Sequence, residues 1–229
     1  MIKKKTPTIS QSEVKVLKKK AVGFDLLPSN SIYFGRYPYK IVFNLTFDPN
    51  KKYPVFMYQY SGPGSQQVNN DWNGKDDYWF QMLAQQGYIV ACVDGRGTGF
   101  KGAAFKKVTQ KELGKYEVED QIDAAIVIGN YPYVDKNRIG IWGWSYGGFM
   151  ASNCLLKGAD VFKMAIAVAP VTNWRFYDSI YTERYMQTPQ ENASGYDENS
   201  PINHVNKLKG KFLLIHGSGD DNVHVQNSM

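Results

Sequence analysis

Apolar residues in this chain form two patterns, which are separated by segments rich in glycine, proline, serine and asparagine. Short apolar or alternating runs predict strands at residues 39–47, 53–60, 88–93, 138–142, 162–169 and 212–216. Longer stretches with helical spacing predict helices at residues 77–86, 118–131, 149–156 and 177–186. Because strands and helices alternate, the pattern is typical of an α/β fold with a mostly parallel sheet and helices on both faces.

One predicted strand-to-helix junction contains the motif Gly143-Trp144-Ser145-Tyr146-Gly147. This is the G-x-S-x-G pattern of a nucleophile elbow, in which a sharp turn exposes a serine hydroxyl above the sheet. Glycines are expected on both sides of the serine, because side chains there would collide at so tight a bend. A structural turn is the other explanation of the motif. The strand before it and the helix after it favour the nucleophile.

Length and composition are typical of one large domain, with 229 residues of which 43% are hydrophobic. We divide the chain into a basic segment with a lead-in strand at residues 1–34 and the main domain at residues 35–229. No apolar run approaches the ~18 residues of a membrane span, and no apolar segment follows the first lysines as in a signal peptide. The net charge of +6 is concentrated in residues 1–20. The remainder is neutral, which argues against a nucleic-acid partner.

The cysteines and histidines do not suggest a metal or redox site. Cys92 and Cys154 both lie in apolar surroundings, which favours two buried free thiols over a disulfide. His204, His216 and His224 have no acidic or cysteine partners at ligand spacing. We therefore expect no metal and no cofactor.

A serine nucleophile needs a base, and the base needs an acid to orient it. In a fold of this type the order along the chain is serine, acid, histidine, and the site lies beyond the carboxyl ends of the strands. Asp220 and Asp221 follow the last predicted strand, although either acid alone fits a turn that caps a helix equally well. His224 comes only four residues after Asp220, too close to serve as the base. We therefore expect the chain to stop before its general base.

Five segments resemble the catalytic domain of the prolyl oligopeptidase family, in particular its dipeptidyl peptidase IV branch. They are residues 94–99, 117–120, 143–150, 177–185 and 216–224. The resemblance covers about residues 35–229 and implies an α/β-hydrolase fold with its C-terminal part missing. Family members join this domain to an N-terminal β-propeller that filters substrates. From the resemblance we expect neither that propeller nor the segment that holds the catalytic histidine within residues 1–229.

The resemblance also implies roles for individual residues. Ser145 would be the nucleophile, Asp220 the triad acid, and the Tyr60 hydroxyl and the Tyr146 backbone NH the oxyanion donors. Asn222 would hydrogen-bond a substrate carbonyl. A pocket for a proline-like side chain would be formed by Tyr146, Val171, Trp174, Tyr177, Tyr181 and Val223. The spacing of Tyr177 and Tyr181 predicts that they share one helical face, although spacing alone fits a stripe of core aromatics better.

The implied activity is that of a serine peptidase releasing N-terminal dipeptides, or tripeptides, after proline or alanine through an acyl-enzyme. Its partners would be such peptides, with homodimers common in the family, and its compartment would be the periplasm or the cell surface. Two alternatives are open: a carboxylesterase, which shares the elbow but does not need the aromatic pocket, and a binding relative without catalysis. The chain by itself is expected to be inert.

Overall fold

The computed structural model describes residues 30–34, 37–44, 46–69 and 75–229, with side chains described from residue 39 onward except that of residue 75. Within these ranges the chain forms seven strands in one sheet. The strands are β1 (Asn30–Phe34), β2 (Tyr37–Val42), β3 (Tyr53–Tyr58), β4 (Ile89–Val93), β5 (Val134–Trp144), β6 (Met164–Val168) and β7 (Lys211–Ile215). The basic tail and the β structure predicted before residue 30 lie outside the described residues.

The sheet has the strand order β1-β2-β4-β3-β5-β6-β7. The first two strands are antiparallel to their neighbours, and the pairs from β4 to β7 are all parallel. The prediction of a mostly parallel sheet is therefore confirmed. Strand β1 pairs with β2, so the sheet crosses the predicted boundary between residues 34 and 35.

Six α-helices accompany the strands in the described ranges. They are α1 (Lys75–Gln85), α2 (Ala103–Lys107), α3 (Tyr116–Gly129), α4 (Tyr146–Lys157), α5 (Ser179–Met186) and α6 (Ala193–Glu198). Three 3-10 helices cover Trp174–Phe176, Pro201–Lys207 and Val225–Ser228. None of the helices in this part of the chain has the length and apolar character needed to cross a membrane.

Helices pack on both faces of the sheet, as predicted. Successive residues of β3 point to opposite faces, so that Phe56 packs with α1 through Phe80, whereas Met57 packs with α3 and α4. Strand β4, which lies between β2 and β3, is buried along its whole length. Cys92 and Cys154 are both buried and free, which confirms that prediction.

Two local predictions need correction. The strand predicted at 39–47 ends at Val42, because the chain turns and the Phe43 and Phe47 rings pack together at 4.7 Å. Tyr177 lies outside helix α5, since the Asp178 side chain caps that helix by accepting from the Tyr181 NH at 2.8 Å. Residues 187–210, for which no element was predicted, contain α6 and a 3-10 helix.

Candidate active site

Ser145 lies at the junction of β5 and α4 in a backbone conformation that serine rarely adopts. Its φ is +59° and its ψ is −117°. The Ser145 NH donates to the Val168 carbonyl at 2.8 Å, and the Ser145 carbonyl accepts from the Phe149 NH at 3.0 Å. The residue is thus tied both to the neighbouring strand and to the helix that follows, which is the arrangement predicted for a nucleophile elbow.

The glycines on either side of this serine are required by close backbone contacts. A Cβ on Gly143 would lie 2.4 Å from the Gly147 carbonyl oxygen, and a Cβ on Gly147 would lie 2.6 Å from the Gln59 carbonyl oxygen. The Gln59 side chain also donates to the Gly147 carbonyl at 2.8 Å. Since the obstructing atoms belong to the backbone, they cannot move aside cheaply, and only glycine fits at these two positions.

Tyr60 follows β3, the strand beside β5, and its phenol lies next to the serine. Burial raises the pKa of Tyr60, the neighbouring Tyr177 adds to the rise, and the nearby Ser145 side chain opposes it. A phenol with a raised pKa keeps its proton at neutral pH and so stays a hydrogen-bond donor. Tyr146 begins helix α4, and the first NH groups of a helix have no partner within the helix. The two predicted oxyanion donors therefore flank Ser145.

The aromatic residues of the predicted pocket form one contiguous cluster around Trp174. The Trp174 ring centroid is 5.4 Å from that of Tyr146, 5.9 Å from Tyr177 and 5.8 Å from Tyr181. Tyr177 and Tyr181 meet edge to face at 5.4 Å, although Tyr177 precedes the helix. Val171 and Val223 are buried in the same cluster as Tyr146 and Trp174. The six predicted pocket residues thus belong to a single packed region.

Asp220 is held in the loop after β7 by backbone hydrogen bonds. Its Oδ1 accepts from the NH groups of Asn222 and Val223 at 3.0 and 2.9 Å. The Asn222 side-chain oxygen in turn accepts from the Tyr177 hydroxyl at 3.0 Å, which joins this acid loop (residues 217–224) to the aromatic cluster. Asp221 is exposed. Of the two acids, Asp220 is the one that the loop geometry fixes.

Backbone hydrogen bonds also tie together the carboxyl ends of the three strands beneath these residues. The Ser145 NH binds Val168 at the end of β6, and the Ala169 NH donates to the Ile215 carbonyl at 2.7 Å. Ser145 follows β5 and Asp220 follows β7, so the two lie along one edge of a parallel sheet. This is the edge at which sites form in folds of this type.

Two histidines lie near the acid, and they differ in their contacts. His216 Nε2 lies 2.7 Å from the Val223 carbonyl oxygen and therefore donates to it, and Nδ1 lies 2.6 Å from Ser228 Oγ. The distance from His216 Nε2 to Asp220 Oδ2 is 3.6 Å, which is too long for a hydrogen bond. His224 is exposed and precedes the last 3-10 helix. No cluster of potential metal ligands occurs within the ranges that the structure describes.

The sequence reasoning gave no role to Glu117, whose carboxyl proves to be fully buried below the site. Its Oε1 accepts from the Tyr146 hydroxyl at 2.7 Å, and its Oε2 accepts from the Gly114 NH at 3.1 Å. An acid in the first turn of a helix usually faces solvent, so the position of Glu117 in the sequence did not indicate that it is buried. The only signal was its place in the motif at residues 117–120.

The loop after β4 is held by a second interaction that was not predicted. Arg96 Nη2 lies 2.7 Å from Asp120 Oδ1, and the Arg96 NH donates to Oδ2 of the same carboxylate at 2.6 Å. The Asp94 carboxylate accepts from the NH groups of Gln67 and Val68, at 3.0 and 2.8 Å to its Oδ2. The glycine-rich loop therefore has a fixed position beside the segment that follows Tyr60.

Comparison with known proteins gives a consistent result. The model of the prolyl oligopeptidase family matches residues 75–229. The chain is 54% identical over 186 residues to a protein named probable dipeptidyl-aminopeptidase B from Paracoccidioides lutzii, covering 80% of this chain and 20% of that protein. The protein of the same name from Podospora anserina gives the same identity over 186 residues and the same coverage.

Among solved structures, the crystal structure of Porphyromonas gingivalis dipeptidyl peptidase 4 superposes with a TM-score of 0.82 at 52% sequence identity. The match covers 88% of this chain and 28% of that one. The chain thus spans about a fifth of the length of the curated relatives that it matches and just over a quarter of this solved structure.

Proposed function

The chain belongs to the prolyl oligopeptidase family, and we propose that it forms the peptidase domain of a serine enzyme that releases dipeptides, or tripeptides, after proline or alanine. The observation that supports this most directly is the position of Tyr60. Its side chain lies near enough to Ser145 for the serine to affect the pKa of the phenol, and its ring centroid is 6.0 Å from that of Tyr146 in the aromatic cluster. The proposed nucleophile, oxyanion donor and side-chain pocket therefore adjoin one another.

In the proposed reaction the Ser145 hydroxyl attacks the carbonyl carbon of the scissile bond, and its proton passes to the triad imidazole. The carbonyl oxygen becomes an oxyanion that accepts hydrogen bonds from the Tyr60 hydroxyl and the Tyr146 NH. Each such donor typically contributes about 3 kcal/mol to transition-state stabilisation. The imidazole then protonates the departing amine, and water hydrolyses the acyl-enzyme by the same steps in reverse order.

The aromatic cluster suits a proline side chain because both are rigid. Trp174 and Tyr181 stack at an interplanar angle of 21°, and Tyr177 closes against both rings edge to face. A stiff ring that enters such a cluster loses little conformational entropy. Asn222, which is held by the Tyr177 hydroxyl, would bind a carbonyl of the substrate at the edge of this pocket.

Residues 1–229 alone are proposed to be inactive. The two backbone NH groups hold Oδ1 of Asp220, which leaves Oδ2 as the oxygen that could orient an imidazole. Both ring nitrogens of His216 are already engaged, and His224 is only four residues from the acid. We assign Ser145 as the nucleophile from its position in the elbow, and Asp220 as the triad acid from the hydrogen bonds that fix its carboxylate.

The test is an assay on the protein expressed over its whole natural reading frame. We expect cleavage of a Gly-Pro chromogenic amide but not of the Gly-Gly amide, and no cleavage by the Ser145→Ala variant. Tyr60→Phe keeps the ring and removes only the donor, so kcat should fall by about 10²-fold. Hydrolysis of a short acyl ester without amide cleavage would replace this proposal by a carboxylesterase. Amide cleavage by residues 1–229 alone would contradict the proposal that these residues lack a general base.

A further inference from the structure

Helix α3 places a carboxyl group without solvent contact directly behind the pocket. Glu117 lies in its first turn, is fully buried, and receives its two side-chain hydrogen bonds from uncharged groups. Burying a carboxylate that no cation hydrogen-bonds is costly, so stability alone does not explain a glutamate at this position. Its position in the first turn offsets part of that cost, because the N-terminal end of a helix favours negative charge.

The local structure is shaped to bring this carboxyl to the Tyr146 phenol. The preceding turn contains Gly114 at φ +88°, where a Cβ would lie 2.4 Å from the Phe149 ring, so the NH that binds Glu117 Oε2 can approach only from glycine. On the other side, the Tyr146 ring packs between Phe149 and Trp174, with centroids 5.4 Å from each. The Glu117 bond is made at the far end of that ring.

Tyr146 is the residue through which such a contact could affect the reaction. Its backbone follows Ser145 directly, and its ring forms part of the aromatic cluster, 6.0 Å from the Tyr60 ring. A hydrogen bond at the phenol therefore constrains both one wall of the pocket and the first NH of helix α4. We propose that Glu117 is a positioning residue, which fixes Tyr146 through its phenol and so sets the geometry of the pocket and of the oxyanion donor. This inference rests on the proposed function.

The charge of this carboxyl changes in an accessible pH range. Burial raises the pKa of Glu117 to about 7, while the bonds from Tyr146 and Gly114 oppose the rise and Asp120 on the same helix adds to it. From the neighbouring helices it is faced by Cys154, Lys157 and Tyr181. An ionised carboxylate accepts the phenol proton in a stronger, charge-assisted bond than a neutral acid does. The anchoring of Tyr146 should therefore strengthen as the pH rises through 7.

Three variants test this inference in the protein expressed over its whole reading frame. Glu117→Gln removes the charge but keeps an acceptor, Tyr146→Phe removes the phenol but keeps the ring, and Asp123→Asn is a control with an exposed acid on the same helix. The readout is kcat/KM for a Gly-Pro amide from pH 6 to pH 8. Titration of the triad affects wild type and variant alike, so it cancels in their ratio.

We expect the ratio of wild-type to Glu117→Gln kcat/KM to rise from about 2 at pH 6 to about 20 at pH 8. The control ratio should stay near one. The double variant Glu117→Gln/Tyr146→Phe should be no slower than the slower single variant, because both remove one interaction. A ratio that does not change with pH, or additive effects of the two substitutions, would overturn the inference while leaving the proposed function intact.

A second readout needs no turnover and uses residues 1–229. The folded-state pKa of Glu117 lies above its ordinary value of 4.5, so the native state binds this proton more tightly than the unfolded state. The resulting stabilisation is present at low pH and is lost as the pH rises through 7. Between pH 5 and pH 8 the Tm should fall by about 5 °C more in the wild type than in Glu117→Gln. Equal slopes would contradict the inference even if no peptide were cleaved.

Discussion

Helix α4 follows Ser145 and is buried at eleven of its twelve residues. Strand β7 leads to the acid loop, and all five of its residues are exposed. Ser145 is consequently held by packed backbone on both sides. Asp220 is held by hydrogen bonds from two backbone NH groups of its own loop, and His216 hydrogen-bonds the Val223 carbonyl of the same loop. The difference indicates that two parts of one candidate site can differ widely in local stability, because dense packing and a few hydrogen bonds contribute unequally.

The strongest test of this difference in local stability is to make the same glycine-to-alanine substitution at the elbow and in the acid loop. Gly143→Ala puts a Cβ 2.4 Å from a backbone oxygen, whereas a Cβ on Gly217 meets nothing within 4 Å. We expect the first to lower the free energy of unfolding by about 4 kcal/mol and the second to change it by less than about 1 kcal/mol. Urea unfolding followed by circular dichroism measures both. Similar losses in the two variants would mean that the acid loop is as tightly constrained as the elbow.

A second pair compares packing without changing the backbone. Leu155 in α4 is fully buried, while Leu213 in β7 is 51% exposed. Truncation to alanine should lower the free energy of unfolding by about 3 kcal/mol at Leu155 and by less than about 1 kcal/mol at Leu213. The same denaturation experiment gives the values. A large loss at Leu213 would show that another part of the protein covers β7.

The smallest expected effect is local to the acid loop. His216→Phe keeps a ring but removes the hydrogen bond to the Val223 carbonyl, which should cost about 1–2 kcal/mol. Hydrogen exchange should therefore accelerate at the Asn222 and Val223 amides. The amides of α4 serve as the internal control, and their acceleration to the same extent would indicate global rather than local opening.

Much of the nucleophile side could be predicted from the sequence because its causes are local. The glycines at 143 and 147 are needed by the bend between adjacent elements, so motif and structure coincide. Apolar periodicity likewise predicted α4 and the buried strand β4. The predicted elements differ from the observed ones mainly at their ends, because capping interactions determine where a helix begins. Asp178 is a standard N-cap residue, and attention to it would have excluded Tyr177 from helix α5.

The unpredicted features depend on contacts between distant parts of the chain. Glu117 and Tyr146 are 29 positions apart, and neither a helical nor a strand period relates them. The sequence predicted a strand at residues 212–216, and the structure adds that the side chains of β7 are exposed. Burial is a property of what packs against an element, so the pattern of the element alone cannot decide it.

The backbone at Ser145 has an evolutionary consequence. A φ of +59° suits glycine and disfavours serine, so a lineage that no longer needed the hydroxyl would gain stability simply by replacing this residue. Drift would then favour the loss of the side chain within a few substitutions. The torsion angle at Ser145 therefore supports, from the main chain alone, a role for the hydroxyl other than stabilising the fold.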